Sequence, residues 1–254
     1  MDIFQAIILG IVQGITEWLP VSSSGHLVLF EHLFGLTQPL LFDIMLHVGS
    51  LFVVLFFFRK EILELIAGVF DGDKEKLLIV LMMVIATIPI AIVGYFFQDF
   101  IESIFKDLRT VGFALLFTAL ILFLSRYPYK KEGKLTLWKA FVIGVFQAVA
   151  ILPGVSRSGS TISSGMMLGI RKEEVAKFSF LIFIPAILGA LALHIGDITA
   201  FTDPLPVIVG TLVSAIVGYF SLKLLMNIIK KDKFSWFSVY CLILGIVVLI
   251  VAYV

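Results

Sequence analysis

The chain has 254 residues, of which 60% are hydrophobic, 13% aromatic and 15% charged, and its formal net charge is +1. A soluble domain has about 25% charged and 45–50% apolar residues, so this composition argues against a soluble protein and predicts one that crosses a lipid bilayer several times. Cys241 is the single cysteine, which excludes an intrachain disulfide. The lipid bilayer is the expected environment, and no nucleic-acid partner is expected.

Taken in chain order, the apolar runs predict six transmembrane spans at about 40–58, 77–97, 111–126, 178–195, 205–226 and 236–254. Each approaches the ~20 residues that a helix needs to cross the hydrocarbon core. Two further apolar regions, 3–35 and 137–170, are interrupted in the middle by LPVSSSGH and LPGVSRSGST. Each of these regions could form one long span or a re-entrant hairpin of two short helices.

The placement of Lys and Arg distinguishes these two arrangements. If both interrupted regions are hairpins, one face carries 16 of the 19 basic residues, in loops around 59–76, 126–139, 171–177 and 223–233. If both are single spans, the basic residues outside the membrane divide evenly between the two faces. The positive-inside rule therefore favours hairpins, with both termini on the non-cytoplasmic face. The predicted fold is an all-α polytopic membrane protein with six transmembrane helices and two re-entrant helical hairpins.

The two halves of the sequence resemble each other. The stretch LGIVQGITEWLPVSSSG aligns with IGVFQAVAILPGVSRSG, and AIVGYF occurs twice. We therefore expect one membrane domain, 1–254, built from a repeat at about 1–127 and a second at about 133–254. Each repeat would hold one hairpin and three spans, so the second would be inverted relative to the first. Inverted repeats place their polar site near the bilayer midplane, where the two hairpin tips should meet.

The predicted tips carry the chemistry of an anion site. Serine is a favoured helix N-cap, and three serines stand at each tip: Ser22, Ser23 and Ser24 in the first, Ser156, Ser158 and Ser160 in the second. Helix N-termini bind anions through their free N–H groups. Arg157 adds a planar fork suited to phosphate oxygens. Two converging tips therefore favour a phosphate ligand, and more strongly two linked phosphates.

Glu17 and His26 add acid–base chemistry to this site. Glu17 could hold a divalent cation that bridges phosphates, or orient a nucleophile. His26 follows Ser23 by three residues, so both are expected to face one cavity, where His26 could protonate a leaving group or attack phosphorus itself. These residue types favour a hydrolase of phosphate esters or anhydrides. His47 is interpreted equally well as a site residue or as an interhelical hydrogen bonder.

These motifs resemble those of a known family. QGITEWLPVSSSGH resembles the [E/Q]xxxE and PVSSxGH signature, and PGVSRSGST the PGxSRSxxT signature, of the undecaprenyl-diphosphate phosphatases of the bacitracin-resistance (BacA) family. The resemblance implies a C55 polyprenyl diphosphate substrate, and the products would be inorganic phosphate and the monophosphate lipid carrier, which is recycled for cell-wall synthesis. It also implies a divalent cation, Mg²⁺ or Ca²⁺, with Glu17 as a ligand.

The resemblance assigns roles to individual residues. Glu17, Ser23, His26 and Arg157 would be catalytic. The nucleophile is left open between Ser23 and His26, and Ser23 is slightly favoured, with His26 as the acid–base group. Residues that would bind substrate or support the site are Gln13, Ser22, Ser24, Gly25, Ser156, Ser158 and Thr161. The site would open to the extracytoplasmic side of a bacterial plasma (inner) membrane. A homodimer is compatible with the sequence, which leaves the oligomeric state open.

Two other functions compete with the phosphatase. Inverted repeats with broken helices are also typical of transporters, so a polyprenyl-phosphate flippase could use the same pocket. Translocation of an anionic lipid needs Arg157 and the helix N-termini, but no acid–base group such as Glu17 with Ser23 and His26. An anion channel is disfavoured, because the spans contain few polar residues.

Overall fold

The computed structural model describes residues 1–36, 40–105, 107–127, 133–194, 196 and 203–254. Within these residues the chain is helical and has no strand. The α-helices are α1 (Ile3–Thr16), α2 (Ser23–Leu33), α3 (Leu40–Phe57), α4 (Arg59–Phe70), α5 (Lys74–Phe96), α6 (Gln98–Ile104), α7 (Leu108–Leu124), α8 (Leu137–Val149), α9 (Arg157–Met167), α10 (Lys172–His194), α11 (Leu205–Lys230) and α12 (Phe237–Tyr253).

The longest helices have the length and composition of membrane spans. Among the described residues, five segments qualify: α3, α5, α10, α11 and the stretch Phe234–Tyr253 that contains α12. A sixth qualifies if α6 and α7 are counted together. Each predicted span falls on one of α3, α5, α7, α10, α11 and α12. The prediction of an all-helical protein that crosses the membrane several times is confirmed.

Both interrupted apolar regions consist of two short helices with a turn between them. In the first, α2 begins after Ser22, whose Oγ accepts a hydrogen bond from the N–H of Gly25 at 3.2 Å. In the second, α9 begins after Ser156, whose Oγ accepts from the N–H of Gly159 at 3.0 Å. The serine side chains thus replace helical acceptors at each new start. Pro20 and Pro153 lie inside the two breaks, where the missing proline N–H costs nothing.

Two charged runs, RKEILEL at 59–65 and KKEGK at 130–134, lie in regions that the sequence predicts to be loops on the cytoplasmic face. The first, RKEILEL, is instead the start of α4, a helix that leaves most of its apolar side chains exposed. Its isoleucine and leucine residues recur every three or four positions, and this periodicity favours a helix despite the charges. In the second run, 130–134, the first three residues lie outside the described part of the chain, as does Lys106.

Close helix packing fixes the position of the first hairpin. α1 packs along α11, and a Cβ atom added at Gly10 would lie 2.5 Å from the backbone oxygen of Gly210. One turn later, a Cβ atom at Gly14 would lie 2.9 Å from both the Gly218 nitrogen and the Ser214 oxygen. Small residues at these positions let the two backbones touch.

The largest buried apolar cluster lies where α1 ends. Trp18, which follows α1, is fully buried. Its ring packs edge-on against Phe180 and Phe183 of α10, with centroid separations of 5.5 and 5.6 Å. Edge-to-face aromatic pairs of this kind add to the burial energy. The cluster therefore ties the first hairpin to α10 immediately beside Glu17.

Candidate active site

Glu17, which follows the last residue of α1, is the centre of a buried polar cluster. Its Oε1 accepts from Arg157 Nη2 at 2.6 Å, and its Oε2 accepts from Ser23 Oγ at 2.5 Å and from Gln13 Nε2 at 3.1 Å. His47 Nε2 lies 3.2 Å from the same Oε2. A carboxylate inside a membrane protein costs about 2.5–3.5 kcal/mol on the insertion scale, and these contacts offset that cost.

Arg157 is the first residue of α9, and α10 holds its guanidinium in place. Nη1 donates to the backbone oxygen of Ser179 at 3.3 Å. The guanidinium carbon lies 4.1 Å from the centroid of the Phe183 ring, which is cation–π geometry. Thr161, one turn along α9, has its hydroxyl 2.5 Å from that of Ser179. These three contacts between α9 and α10 leave Arg157 facing Glu17.

The two hairpin tips touch, as the sequence predicts. Ser158 Oγ donates to the backbone oxygen of Trp18 at 3.1 Å, which links the start of α9 to the end of α1. A Cβ atom added at Gly25 would lie 3.0 Å from the Cα of Gly154. Gly154 has φ of +98°, a conformation that favours glycine. The absence of side chains at these two positions is what lets the tips approach each other.

Thr118 of α7 holds the second tip. Its hydroxyl donates to the backbone oxygen of Gly154 at 3.0 Å and accepts from the N–H of Ser156 at 3.0 Å. The side chain is 1% exposed, so one buried hydroxyl satisfies two buried backbone groups of the turn. The cap residue Ser156 is fixed in this way before α9 begins.

A cavity of about 640 Å³ opens beside Glu17. Its polar end is lined by the starts of both short helices, by Glu17, and by two residues of α3, Asp43 and His47. Its walls are apolar and come mainly from α5 and α10. At the first two positions of α2 and α9, the backbone N–H groups donate no hydrogen bond within the described part of the chain. Such groups, beside a guanidinium, are suited to bind the oxygens of an anion.

Three of the four expected catalytic residues line this cavity together: Glu17, Ser23 and Arg157. His26 does not line it, although it was expected to face the same cavity as Ser23. Its Nδ1 lies 2.7 Å from the backbone oxygen of Ser22, and its Nε2 lies 2.7 Å from the hydroxyl of Tyr240 in α12. The imidazole thus points towards α12, where the Tyr240 ring lies nearly parallel to it with a centroid separation of 5.8 Å.

The residues expected to bind substrate divide into two groups. Ser24 lines the cavity. The others contact protein groups that shape the tips. Gln13 donates hydrogen bonds to Glu17 and Ser50, and the caps Ser22 and Ser156 accept from the first turns of their helices. The remaining three residues hold the tips together or brace α9. These three are Gly25, Ser158 and Thr161.

His47 lines the cavity, and the sequence leaves it open between a site residue and an interhelical hydrogen bonder. The available signal was a histidine in the middle of an apolar span, in the sequence MLHVGS. That signal does not specify a partner, since Glu17 is thirty positions away and only helix packing brings the two together. The contact with Glu17 favours the interpretation of His47 as a site residue over that of a remote interhelical hydrogen bonder.

The oxygen and nitrogen atoms around Glu17 determine whether a divalent cation could bind there. Among the described residues, no group of three or more His, Cys, Asp or Glu side chains could enclose a metal ion. Glu17 Oε1 accepts only from Arg157 within those residues, so it retains a lone pair. Mg²⁺ commonly uses one or two carboxylates together with phosphate oxygens. The residues therefore fit a cation that binds along with a phosphorylated ligand.

Comparisons with known proteins give a consistent result. The family model described as "Bacitracin resistance protein BacA" matches residues 6–247. The undecaprenyl-diphosphatase of Carboxydothermus hydrogenoformans is 44% identical, over 98% of this chain and 97% of its own length. That of Methanobrevibacter smithii is 43% identical with the same coverage, and that of Bacteroides fragilis is 43% identical over 99% of both chains.

Proposed function

The chain belongs to the bacitracin resistance protein BacA family, and we propose that it is a membrane phosphatase that hydrolyses undecaprenyl diphosphate to undecaprenyl phosphate and inorganic phosphate. The observation that carries the proposal is the contact of Ser23 Oγ with Glu17 at 2.5 Å, opposite Arg157. The Ser23 hydroxyl, the Glu17 carboxylate and the Arg157 guanidinium lie together beside two helix N-termini. This activity would recycle the lipid carrier for cell-wall synthesis and would confer resistance to bacitracin.

In the proposed reaction, Ser23 is the nucleophile and Glu17 its base. As Ser23 Oγ attacks the terminal phosphorus, its proton passes to Glu17 Oε2, the oxygen to which it already donates. The bond between phosphorus and the bridging oxygen breaks, and the lipid monophosphate leaves. Water then attacks the phosphoserine, and the proton held by Glu17 returns to Ser23 as phosphate is released.

Arg157 and the helix N-termini would stabilise charge during both steps. Phosphoryl transfer needs little covalent chemistry from the protein and depends mainly on positioning and on stabilising charge on the phosphoryl oxygens. The free N–H groups at the starts of α2 and α9 supply donors that do not have to reorganise. Arg157 would lose part of its interaction with Glu17 when substrate binds and would contact phosphate instead.

We propose that Mg²⁺ or Ca²⁺ binds together with the diphosphate, with Glu17 Oε1 as the protein ligand. When bound, the cation would neutralise negative charge on the diphosphate.

His26 stays a predicted catalytic residue. Its contact with the backbone oxygen of Ser22 favours a role in holding the turn before α2 over proton transfer to the substrate.

The shape of the cavity supports a lipid substrate. Its apolar walls include Ile90 and Ala91 of α5 and Phe183, Ile187 and Leu193 of α10, which could contact an isoprenoid chain. The walls comprise the last turns of α5 and α10 and the first turns of α3. In the predicted topology these ends lie on the extracytoplasmic side, so we propose that the site opens there in a bacterial plasma membrane.

We further propose six transmembrane helices and two re-entrant hairpins, α1–α2 and α8–α9, in inverted repeats at about 1–127 and 133–254. Helix pairing supports this arrangement. α1 packs on α11, and its repeat counterpart α8 packs on α5, the counterpart of α11. The pairs α3 with α10 and α7 with α12 each join counterparts. A two-fold relation between repeats produces this pattern.

The proposed function is tested with purified protein in detergent. We expect release of inorganic phosphate from a polyprenyl diphosphate, none from the matched monophosphate, loss on chelation and recovery with Mg²⁺ or Ca²⁺. Ser23→Ala should abolish release, whereas Ser103→Ala, at an exposed serine of α6, should not change it. If the wild-type protein releases no phosphate but moves the lipid between leaflets of vesicles, it is a flippase and the proposal is wrong.

A further inference from the structure

His47 contacts the reactive carboxylate from a third direction. It lies in α3, whereas Glu17 and Ser23 belong to the first hairpin and Arg157 to the second. Its side chain is 18% exposed and lines the polar end of the cavity. Nothing in the proposed reaction assigns it a task, since Ser23, Glu17 and Arg157 complete the transfer of the phosphoryl group.

Both ring nitrogens of His47 face acceptors. Nδ1 lies 2.7 Å from the backbone oxygen of Asp43, one turn earlier in α3. Nε2 lies 3.2 Å from Glu17 Oε2. The contact with the helix backbone fixes the rotation of the imidazole, and it thereby fixes the direction in which Nε2 points.

The two oxygens of Glu17 are held from opposite sides. Oε1 is held by Arg157, and Oε2 by Ser23, Gln13 and His47. A carboxylate next to an arginine tends to rotate until both of its oxygens accept from the guanidinium. Such a bidentate pair would move Oε2 away from Ser23 and would engage the guanidinium that substrate needs. A donor fixed to α3 opposes that rotation.

We infer that His47 is a positioning residue, which holds Glu17 Oε2 in line with Ser23 and keeps Arg157 singly bonded. The inference rests on the proposed phosphatase function. His47 does not touch the diphosphate in this arrangement, so its loss should slow the chemical step more than it weakens substrate binding. Misplacement of a reacting group by about 1 Å can cost 100-fold in rate.

The substitutions His47→Gln and His47→Asn test the two ring nitrogens of His47 one at a time. The amide nitrogen of Gln reaches about as far as Nε2 and can still donate to Glu17. The amide nitrogen of Asn takes the place of Nδ1 and falls short of Glu17. His47→Leu removes both ring nitrogens at similar volume. His32→Leu is the matched control, because His32 is exposed near the end of α2, away from the cavity.

The experiment measures kcat and KM for phosphate release, with thermal stability of each purified variant. We expect His47→Gln to keep kcat within about fivefold of wild type, and His47→Asn and His47→Leu to lose about 10- to 100-fold in kcat with KM changed less than threefold. His32→Leu should match wild type. If His47→Leu fails to fold, the contrast between Gln and Asn still decides the question.

Several outcomes would overturn the inference. If His47→Asn or His47→Leu keeps kcat within twofold of wild type, or if His47→Gln is as slow as His47→Asn, His47 has no positioning role. A rise in KM with unchanged kcat would make His47 a substrate-binding residue instead. An inactive wild-type protein would refute the proposed function and this inference with it, whereas active wild type with active His47 variants refutes the inference alone.

Discussion

Arg157 joins three parts of the site through one planar group. Nη2 binds Glu17, Nη1 binds the backbone oxygen of Ser179, and the guanidinium face lies on Phe183. An ammonium group has neither the planar fork nor the flat face, so lysine cannot make all three contacts. The site therefore depends on the shape of this cation as well as on its charge.

Replacing Arg157 by lysine should consequently impair catalysis. We expect Arg157→Lys to lower kcat/KM for phosphate release by about 100-fold or more, in the range found when one charge-stabilising donor is removed. Arg109→Lys is the control, because Arg109 is exposed at the start of α7. Activity of Arg157→Lys within tenfold of wild type would show that charge alone suffices.

Thr118 offers a second test at a single residue. Thr118→Val keeps the volume of the side chain but leaves the Gly154 oxygen and the Ser156 N–H without their partner. An orphaned buried polar group costs about 1–3 kcal/mol, so we expect a lower midpoint of thermal unfolding in detergent. Ser103→Ala should have little effect, since Ser103 of α6 is exposed and water can replace its hydroxyl. Equal stability of Thr118→Val and wild type would contradict the proposed role of Thr118.

The motif residues could be found from the sequence because their chemistry is local. Ser23 and Glu17 are six positions apart, and Arg157 stands at the repeat-related tip. Tyr240 and Thr118 could not be found, and the role of His47 could not be decided, since each contacts the tips from a distant helix. The direction of the His26 ring could not be predicted either, because the three-residue spacing from Ser23 does not determine which side chains the ring contacts.

At the scale of helices, the breaks in the two apolar regions were predictable. Proline followed by a capping serine ends one helix and starts another irrespective of the rest of the fold. α4 was not predicted, since its charged start resembles a loop. Its helical periodicity covers only Arg59–Phe70, which is too short to be distinct beside the long spans.

The contact between α1 and α11 carries a testable prediction. A methyl group at Gly14 would lie 2.9 Å from backbone atoms of α11, and backbone atoms cannot move aside without separating the helices. Gly14→Ala should therefore destabilise the protein by about 1–3 kcal/mol, the usual cost of overpacking. It should also shift the position of Glu17, which lies about one helical turn further along the chain.

The readouts for Gly14→Ala are the unfolding midpoint and phosphate release. Gly189→Ala is the control for stability, since a Cβ atom at Gly189 in α10 would meet no atom within 4 Å. A Gly14→Ala protein with unchanged stability would mean that α1 and α11 are not held as closely as described.

At the scale of the whole molecule, the distribution of basic residues predicts the orientation in the membrane. The predicted topology places the loop before α7 outside the cell and the loop before α5 in the cytoplasm. The inverted arrangement is a prediction from the sequence, because an odd number of predicted spans separates two similar interrupted regions. The contact surface between the repeats could not be inferred, because the aligned motifs do not specify which helices touch.

Cysteine labelling tests this orientation in cells. Cys241, which is buried, is first replaced by alanine, and single cysteines are then introduced at Arg109 and Lys74, both exposed. A membrane-impermeant maleimide should label position 109 in intact cells and position 74 only after permeabilisation. The reverse pattern would invert the topology and direct the cavity to the cytoplasm.

The most direct test of the account is the rate of phosphate release by Glu17→Gln. Glutamine nearly preserves the shape of the side chain but removes the negative charge and most of the basicity, so Ser23 would lose its base and Arg157 its counter-ion. We predict that kcat falls by about 100- to 10,000-fold in a protein that remains folded, whereas Glu64→Gln, at an exposed residue of α4, matches wild type. A Glu17→Gln protein that hydrolyses polyprenyl diphosphate at a near-normal rate would contradict the account.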